Sequence, residues 1–376
     1  MSSDHLHIVS FNVPWPADYG GVIDVYYRLV ALAKAGIHIH LHCYAYGRTP
    51  AKELEQWCDE VCYYPRETGL RHQLENRPYI VASRCSKALL QRLRQDDYPI
   101  LLEGLHCCLT LEQLAGEGRP IYVRSHNVEH DYYRSLAQAE KKIWKRIFYL
   151  VEAKKLQRYE PLLRSATKVL AISSADTAHF SSIGCKNVVL LPPSHGHTEV
   201  TSAVGKGDYI LYHGNLSVGE NIRAALFILE HIASRCPYQF VFAGKDPDPS
   251  LQTAVSTRAN VRLISNPDEA AMHRLIEQAH IHLLITDQAT GVKLKLMNAL
   301  YKGRYCVANS TMVQGTPLGD ACTIADTPDA LCTAVAALME KDFTEAELLQ
   351  RRDILNKVDP TQNISSLIFQ ETHLTC

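Results

Sequence analysis

The chain has 376 residues, too many for one comfortable core and suited to two domains of ordinary size. Its 46% hydrophobic and 21% charged content excludes a disordered chain, and a net charge of -1 removes the general electrostatic case for a nucleic-acid partner. The 12 cysteines are scattered, none forms a Cys-x-x-Cys pair, and Cys43 and Cys306 sit inside apolar runs, so reduced thiols in a cytosolic protein are expected rather than a disulfide scaffold.

The stretch Met1 to Ser10 shows no basic start followed by an apolar run, so no secretion signal is expected there. No run approaches the ~20 apolar residues that span a bilayer. A cytoplasmic protein is the expectation, placed at most peripherally at the inner face of a membrane.

In chain order, His7 to Asn12 reads as a strand, followed by a Pro/Gly loop and a helix from Val22 to Ala35 that Gly36 stops. Ile37 to Tyr44 returns to strand, and Pro99 to Leu102, Ile121 to Val123, Lys168 to Ile172 and Val188 to Leu191 continue the series. This alternation implies a mostly parallel sheet covered by helices on both faces. The rhythm breaks at Pro192 to His197, and the polar stretch to Asp208 reads as a linker. A second cycle opens at Tyr209 to His213 and runs through Gln239 to Ala243, Val261 to Ile264, Ile281 to Ile285 and Tyr305 to Ala308. A helical segment follows Thr344. The expected fold class is therefore α/β, with two successive doubly wound Rossmann-like domains. In such sheets ligands bind at the carboxyl ends of the strands, which directs attention to the loops there.

The first such loop, Pro14 to Gly21, ends in the pair Gly20-Gly21 and opens into a helix, an arrangement that lets backbone N–H groups approach an anion. A tight strand-to-helix turn explains the same residues without a ligand. His213 to Asn221 repeats the pattern after the first strand of the second half, with Gly214 and Asn215 in the turn. The most informative segment is Gly291-Val292-Lys293-Leu294-Lys295-Leu296-Met297-Asn298, which continues to Gly303. A glycine at a helix start and two lysines beside the positive end of its dipole suit a diphosphate. Two residues apart, Lys293 and Lys295 cannot share one helical face, so one is expected on the ligand and the other solvated or paired.

The order of these segments, with "H-N-V-E" from His126, "I-S-S-A-D" from Ile172, "F-A-G-K" from Phe242 and "G-V-K-L-K-L-M-N-A-L-Y-K-G" from Gly291, resembles the GT-B-fold retaining glycosyltransferases of family four over nearly the whole chain. The resemblance implies two Rossmann-like domains facing a central cleft. An acceptor-binding domain would cover 1–195, a nucleotide-sugar-binding domain 206–345, and a helical segment 346–376 would pack back on the first domain. It implies transfer of a hexose-type sugar from a nucleotide-diphosphate sugar to a hydroxyl of a glycan or lipid-linked glycan, with retention, in polysaccharide biosynthesis. His126 would lie beside the donor sugar and acceptor hydroxyl, where imidazole can donate or accept a hydrogen bond. Gly20, Gly21, Gly214, Asn215, Gly291, Val292, Lys293, Lys295 and Asn298 would line the donor, with Lys293 also catalytic through the leaving diphosphate. No cofactor beyond the co-substrate is expected, no metal, and no nucleic acid.

The chain departs from the family where its paired glutamates, eight positions apart, would fall on Thr290 and Asn298. Asn298 offers the ribose hydroxyls a neutral and weaker partner. The basic pair of the family's first C-domain loop and following helix is replaced by Asn215 and Asn221, leaving the diphosphate charge to Lys293 and Lys295. These losses keep open a non-catalytic GT-B-like protein that binds a nucleotide sugar or partner. A sugar-nucleotide epimerase on the same fold is the other alternative.

Four further patterns carry blander readings. His126 to His130 fits H-x-x-E-H, an inverted zinc-peptidase signature, but that site needs both histidines one turn apart on a helix, and His126 directly follows a strand. Asp246-Pro-Asp248 reads as a polar turn rather than a metal clamp. His38, His40 and His42 share one strand face, where packing at a sheet margin is favoured over a metal site. Lys141, Lys142, Lys145 and Arg146, interleaved with Trp144 and Phe148, form a basic stretch whose default is a solvated helix face and whose functional reading is contact with an anionic membrane surface.

Overall fold

The computed structural model describes residues 4–140, 142–287 and 294–358, together with 365 and 369. They form two compact units, one from residues up to 196 and one from 197 to 358, with Phe369 packing in the first. Lys141, Thr290, Gly291, Val292 and Lys293 lie outside the described residues.

In the first unit the strands are β1 (His5–Ser10), β2 (His38–Ala45), β3 (Glu60–Pro65), β4 (Ile100–Glu103), β5 (Ile121–Arg124), β6 (Lys168–Ala171) and β7 (Val188–Leu190). They pair in the order β3-β2-β1-β4-β5-β6-β7, every pair parallel. A parallel sheet is covered on both faces, so its central strands must be apolar at odd and even positions alike. In β4 all four residues, Ile100, Leu101, Leu102 and Glu103, are buried. Leu6, Ile8 and Leu101 enter one core while Val9, Ile100 and Leu102 enter the other, as the two-residue pleat requires.

The second unit holds β8 (Ile210–Asn215), β9 (Phe240–Lys245), β10 (Val261–Ser265), β11 (Ile281–Leu284), β12 (Tyr305–Ala308) and the two-residue β13 (Thr323–Ile324). Their order is β10-β9-β8-β11-β12-β13, again all parallel. In both sheets the order in which strands are added reverses beside the first strand, between β1 and β4 and between β8 and β11. Those are the positions where an open sheet leaves a crevice at its carboxyl edge.

Two expectations change in detail. Pro192 to Asp208 carries no helix or strand, but it is not a solvated linker throughout: Ser194 and His195 are buried, and the Ser194 N–H donates to Asp24 at 2.7 Å. The C-terminal segment expected from 346 divides. Its helix, Glu345–Val358, belongs to the second unit, where Arg351 donates to the Gly303 carbonyl at 2.7 Å, whereas Phe369 packs edge-on against Tyr122 of the first.

Candidate functional site

In the first unit the helix Gly20–Lys34 follows the β1 loop, as expected from the glycine pair. Gly21 has a packing reason for lacking a side chain, since a Cβ there would stand 2.9 Å from the Phe11 ring. Gly20 is exposed at the first turn. One turn into the helix, Asp24 and Arg28 face inward, and both are buried with Glu103 and Arg124 from the ends of β4 and β5. Arg28 donates to Asp24 at 2.9 and 3.0 Å and to Glu103 at 3.0 and 2.8 Å, and Arg124 donates to Asp24 at 3.0 Å.

His126 completes this cluster. Its Nε2 lies 3.0 Å from Glu103 and its Nδ1 3.3 Å from Asp24, and the residue is 8% exposed. Burial works against ionisation of Asp24, but Arg124, Arg28 and His126 outweigh it and hold the carboxyl well below the usual range. Burial likewise opposes the charge on Glu103, which Arg28 and His126 restore, so this carboxyl too is lowered. Two carboxylates thus fix the imidazole's orientation at the carboxyl end of β5 and occupy both ring nitrogens.

The H-x-x-E-H residues separate. The helix begins at Glu129, which leaves His126 outside it. His130 turns instead toward Glu160 and His179. These three approach within 4.8 Å of one another, as a metal site would require, and are bonded among themselves, with His179 2.7 Å and His130 3.4 Å from Glu160. Glu129 is buried, and desolvation, countered in part by Asn127 and reinforced by Glu160, pushes its carboxyl up to about 7.

In the second unit Gly214 and Asn215 close β8, and the helix Gly219–Ile228 follows. The Asn215 carboxamide accepts from Ser217 N–H at 3.0 Å and hydroxyl at 2.7 Å, and its carbonyl accepts from Asn221 at 2.9 Å, so Asn215 shapes the turn. Asn221 in turn receives the Lys295 ammonium at 2.8 Å, which also lies 5.2 Å from the centre of the Tyr212 ring. Lys295 sits in the first turn of the helix Leu294–Lys302, so this helix delivers a cation to the carboxyl end of β8, next to the position where the basic pair is missing. Asn298, one turn further, is engaged by His197 at 2.8 Å, and His197 stacks on Tyr301.

The end of β11 is stapled. Arg223 grips Asp287 at 2.7 and 3.0 Å, Thr286 bonds Glu220, and Asn309 donates to the Thr286 carbonyl at 2.7 Å. The His213 ring is buried beside the Lys295 backbone; burial, assisted by the Lys295 charge and opposed by a bond with the Lys295 backbone, drives its pKa down to about 3. Asp248 caps the helix Pro249–Ser256, the polar turn expected of that motif.

Sequence reasoning named His126, Gly214, Asn215 and Lys295, and each stands at a carboxyl strand end or a first helical turn facing one. It missed Asp24, Arg28, Glu103 and Arg124, and met Glu129 only as the acidic position of the H-x-x-E-H pattern. The only signal for the first two is their four-residue spacing on one helix, and Glu103 announces itself only as a charge ending an apolar strand.

Residues 207–341 match the family model of glycosyl transferases group 1. An uncharacterized 44.6 kDa protein in the cps region of Klebsiella pneumoniae is 24% identical over 331 residues, covering 82% of this chain and 84% of its own. Among solved structures, the lipopolysaccharide outer core galactosyltransferase WaaB in its apo form is similar over 97% of this chain and 99% of its own, with 14% identity and a TM-score of 0.64. Anabaena HepE in complex with UDP and glucose is similar over 97% and 95%, with 12% identity and a TM-score of 0.61. At these identities the structural likeness speaks for the fold, and the family match speaks for the second unit. Residues 207–341 thus resemble the glycosyl transferases group 1, and the chain as a whole has the GT-B fold.

Proposed function

We propose that the protein moves a hexose-type sugar, with retention, from a nucleotide-diphosphate sugar to a hydroxyl of a glycan or lipid-linked glycan. The observation that carries this is the Lys295 ammonium beside Asn221 at the carboxyl end of β8, within the domain that matches the family. A fixed cation there meets the charge that grows on a departing diphosphate, and such preorganised charge is the strongest single contribution to this kind of catalysis. Lys293 shares that role, and Gly214, Asn215, Gly291, Val292 and Asn298 complete the donor side. In the first domain, which takes the acceptor, Gly20, Gly21 and His126 line the reacting side, Gly20 and Gly21 against the donor and His126 oriented by Asp24 and Glu103. The relative from a cps region supports polysaccharide biosynthesis as the setting. For a lipid-linked acceptor, Lys141, Lys142, Lys145 and Arg146 form the membrane-facing basic stretch.

The test is a donor screen that reads release of nucleoside diphosphate. Lys295→Ala and Lys293→Ala are each expected to lower turnover by about two orders of magnitude while leaving the fold intact. Unchanged turnover in both would sink the diphosphate role. One observation favours a second reading, a nucleotide-sugar binder without turnover: Asn298 is neutral and held by His197, so no carboxylate stands at that position. Donor-dependent thermal stabilisation with no release of diphosphate from any donor, with or without acceptor, would select it.

A further inference from the structure

The helix Ile143–Tyr159 in the first unit buries only Glu152, Ala153 and Leu156. Its other side carries Ile143, Trp144, Ile147, Leu150 and Val151, which are 74, 64, 57, 48 and 49% exposed. At 100° per residue these five fall within one third of the helix circumference, a continuous stripe along the first two and a half turns. Isolated exposed apolar residues need no explanation, but five large ones in a row on one helix mark a surface that something covers.

The surroundings say what kind of surface covers it. Lys142 and Arg146 are exposed beside the stripe, the Lys145 ammonium lies 5.5 Å from the centre of the Trp144 ring, and Lys154 is exposed just beyond Val151. Leu70 and Leu74, 75 and 86% exposed, precede and end the short helix Arg71–Leu74, whose Gln73 carbonyl accepts from Lys155 of the same long helix at 2.8 Å. An apolar stripe bordered by cations, in a chain whose net charge is -1, is local complementarity to a surface that is apolar inside and anionic outside. No described helix is long and apolar enough to cross a membrane, so the geometry calls for lying on it.

We infer that the helix Ile143–Tyr159 docks this protein on an anionic lipid bilayer, with Ile143, Trp144, Ile147, Leu150 and Val151 entering the interface and Lys142, Lys145, Arg146 and Lys154 meeting the headgroups. The inference deepens the lipid-linked acceptor reading by naming the surface that would bring the enzyme to it, and it is tested without donor or acceptor, so failure of one leaves the other standing.

The experiment is co-sedimentation of the full chain with phosphatidylcholine vesicles with and without 30% phosphatidylglycerol, at low and high salt. Binding to the anionic vesicles is expected, weakened at high salt because the cationic contribution is screened. Trp144→Ser/Ile147→Ser and, separately, Lys142→Ser/Arg146→Ser are each expected to weaken it about tenfold or more with unchanged melting temperature, since both contributions are needed for peripheral anchoring. Because every substituted side chain is exposed, the two pairs give independent readouts even if one perturbs the fold. Failure of the wild type to bind anionic vesicles would overturn the proposal. So would equal binding by the Trp144/Ile147 variant, or a vesicle-free dimer that this variant dissociates, which would mean that a second copy covers the stripe.

Discussion

Arg28 has no solvent-exposed surface, and a guanidinium survives there only because four of its hydrogen bonds end on the carboxylates of Asp24 and Glu103. Asp24 is shared further, with Arg124 and with the Ser194 N–H, so its removal would leave two buried cations short of charge at once. Asp24→Asn keeps the shape and loses the charge. It should therefore cost about 3–5 kcal/mol of stability, the range for breaking one side of a buried ion pair. A chemical denaturation midpoint equal to wild type would refute the view that this cluster holds the β4 and β5 ends together. The His126 orientation depends on the same two carboxylates. Sequence reasoning reached His126 through its motif but not the clamp around it, because Asp24, Glu103 and His126 lie far apart in the chain and meet only once β1, β4 and β5 pair. Lys295 was legible as a cation at a helix start, whereas its target, Asn221, was legible only as a missing base.

At the scale of elements, the close approach of β8 and β9 sets where the loop that follows β8 can run. Gly214 and Gly244 are register partners, and a Cβ on Gly244 would stand 1.8 Å from the Gly214 carbonyl oxygen and 3.0 Å from Leu216. No side-chain rotation relieves a clash with backbone, so Gly244→Ala must push the end of β8 outward. The expected cost is about 1–3 kcal/mol of stability, the usual range for overpacking, together with weaker donor binding in a thermal-shift titration. Full stability with intact donor-dependent stabilisation would show that the strand ends are not so constrained. The central strands of both sheets were readable from sequence because double burial makes them apolar throughout. β3 and β13 were not. β3 is an edge strand whose Glu60, Val61, Cys62 and Tyr63 are only half-buried, and β13 has two exposed residues, so neither carries a buried apolar run for a sequence to display.

For the whole molecule, buried histidines set the response to acid. Desolvation lowers His7 to about 4 and His42 to about 3 in the first unit, and His213 to about 3 in the second, where His282 is also driven far below its ordinary value. His7 and His42 share a hydrogen bond of 2.9 Å, and His7 reaches Asp96 at 2.9 Å. A neutral pair satisfies this chain if His42 donates to His7 and His7 donates to Asp96. A base whose folded pKa lies below its unfolded value near 6.5 contributes stability that is complete above that value and is lost as pH falls toward the folded pKa. Between roughly pH 6.5 and 4 each such histidine should therefore remove on the order of 1.4 kcal/mol per pH unit. Glu129, pushed up to about 7, and Asp176, also raised by burial, work the other way in the first unit, because a carboxyl held protonated in the fold gains relative stability as the pH drops. In the second unit Asp326, lowered by its hydrogen bonds with Ser310, and Glu347, where burial is outweighed by hydrogen bonds from Thr344 and Tyr305, lose stability as the pH falls, in the same direction as the histidines. The melting temperature of the full chain should fall steadily from pH 6.5 to 4.5, and His213→Leu, which replaces a buried ring by an apolar side chain that takes up no proton, should make that fall shallower. A wild-type melting temperature that stays level from pH 7 to pH 5 would show that these imidazoles are solvated or paired in a way that lets them take up protons without opening the fold.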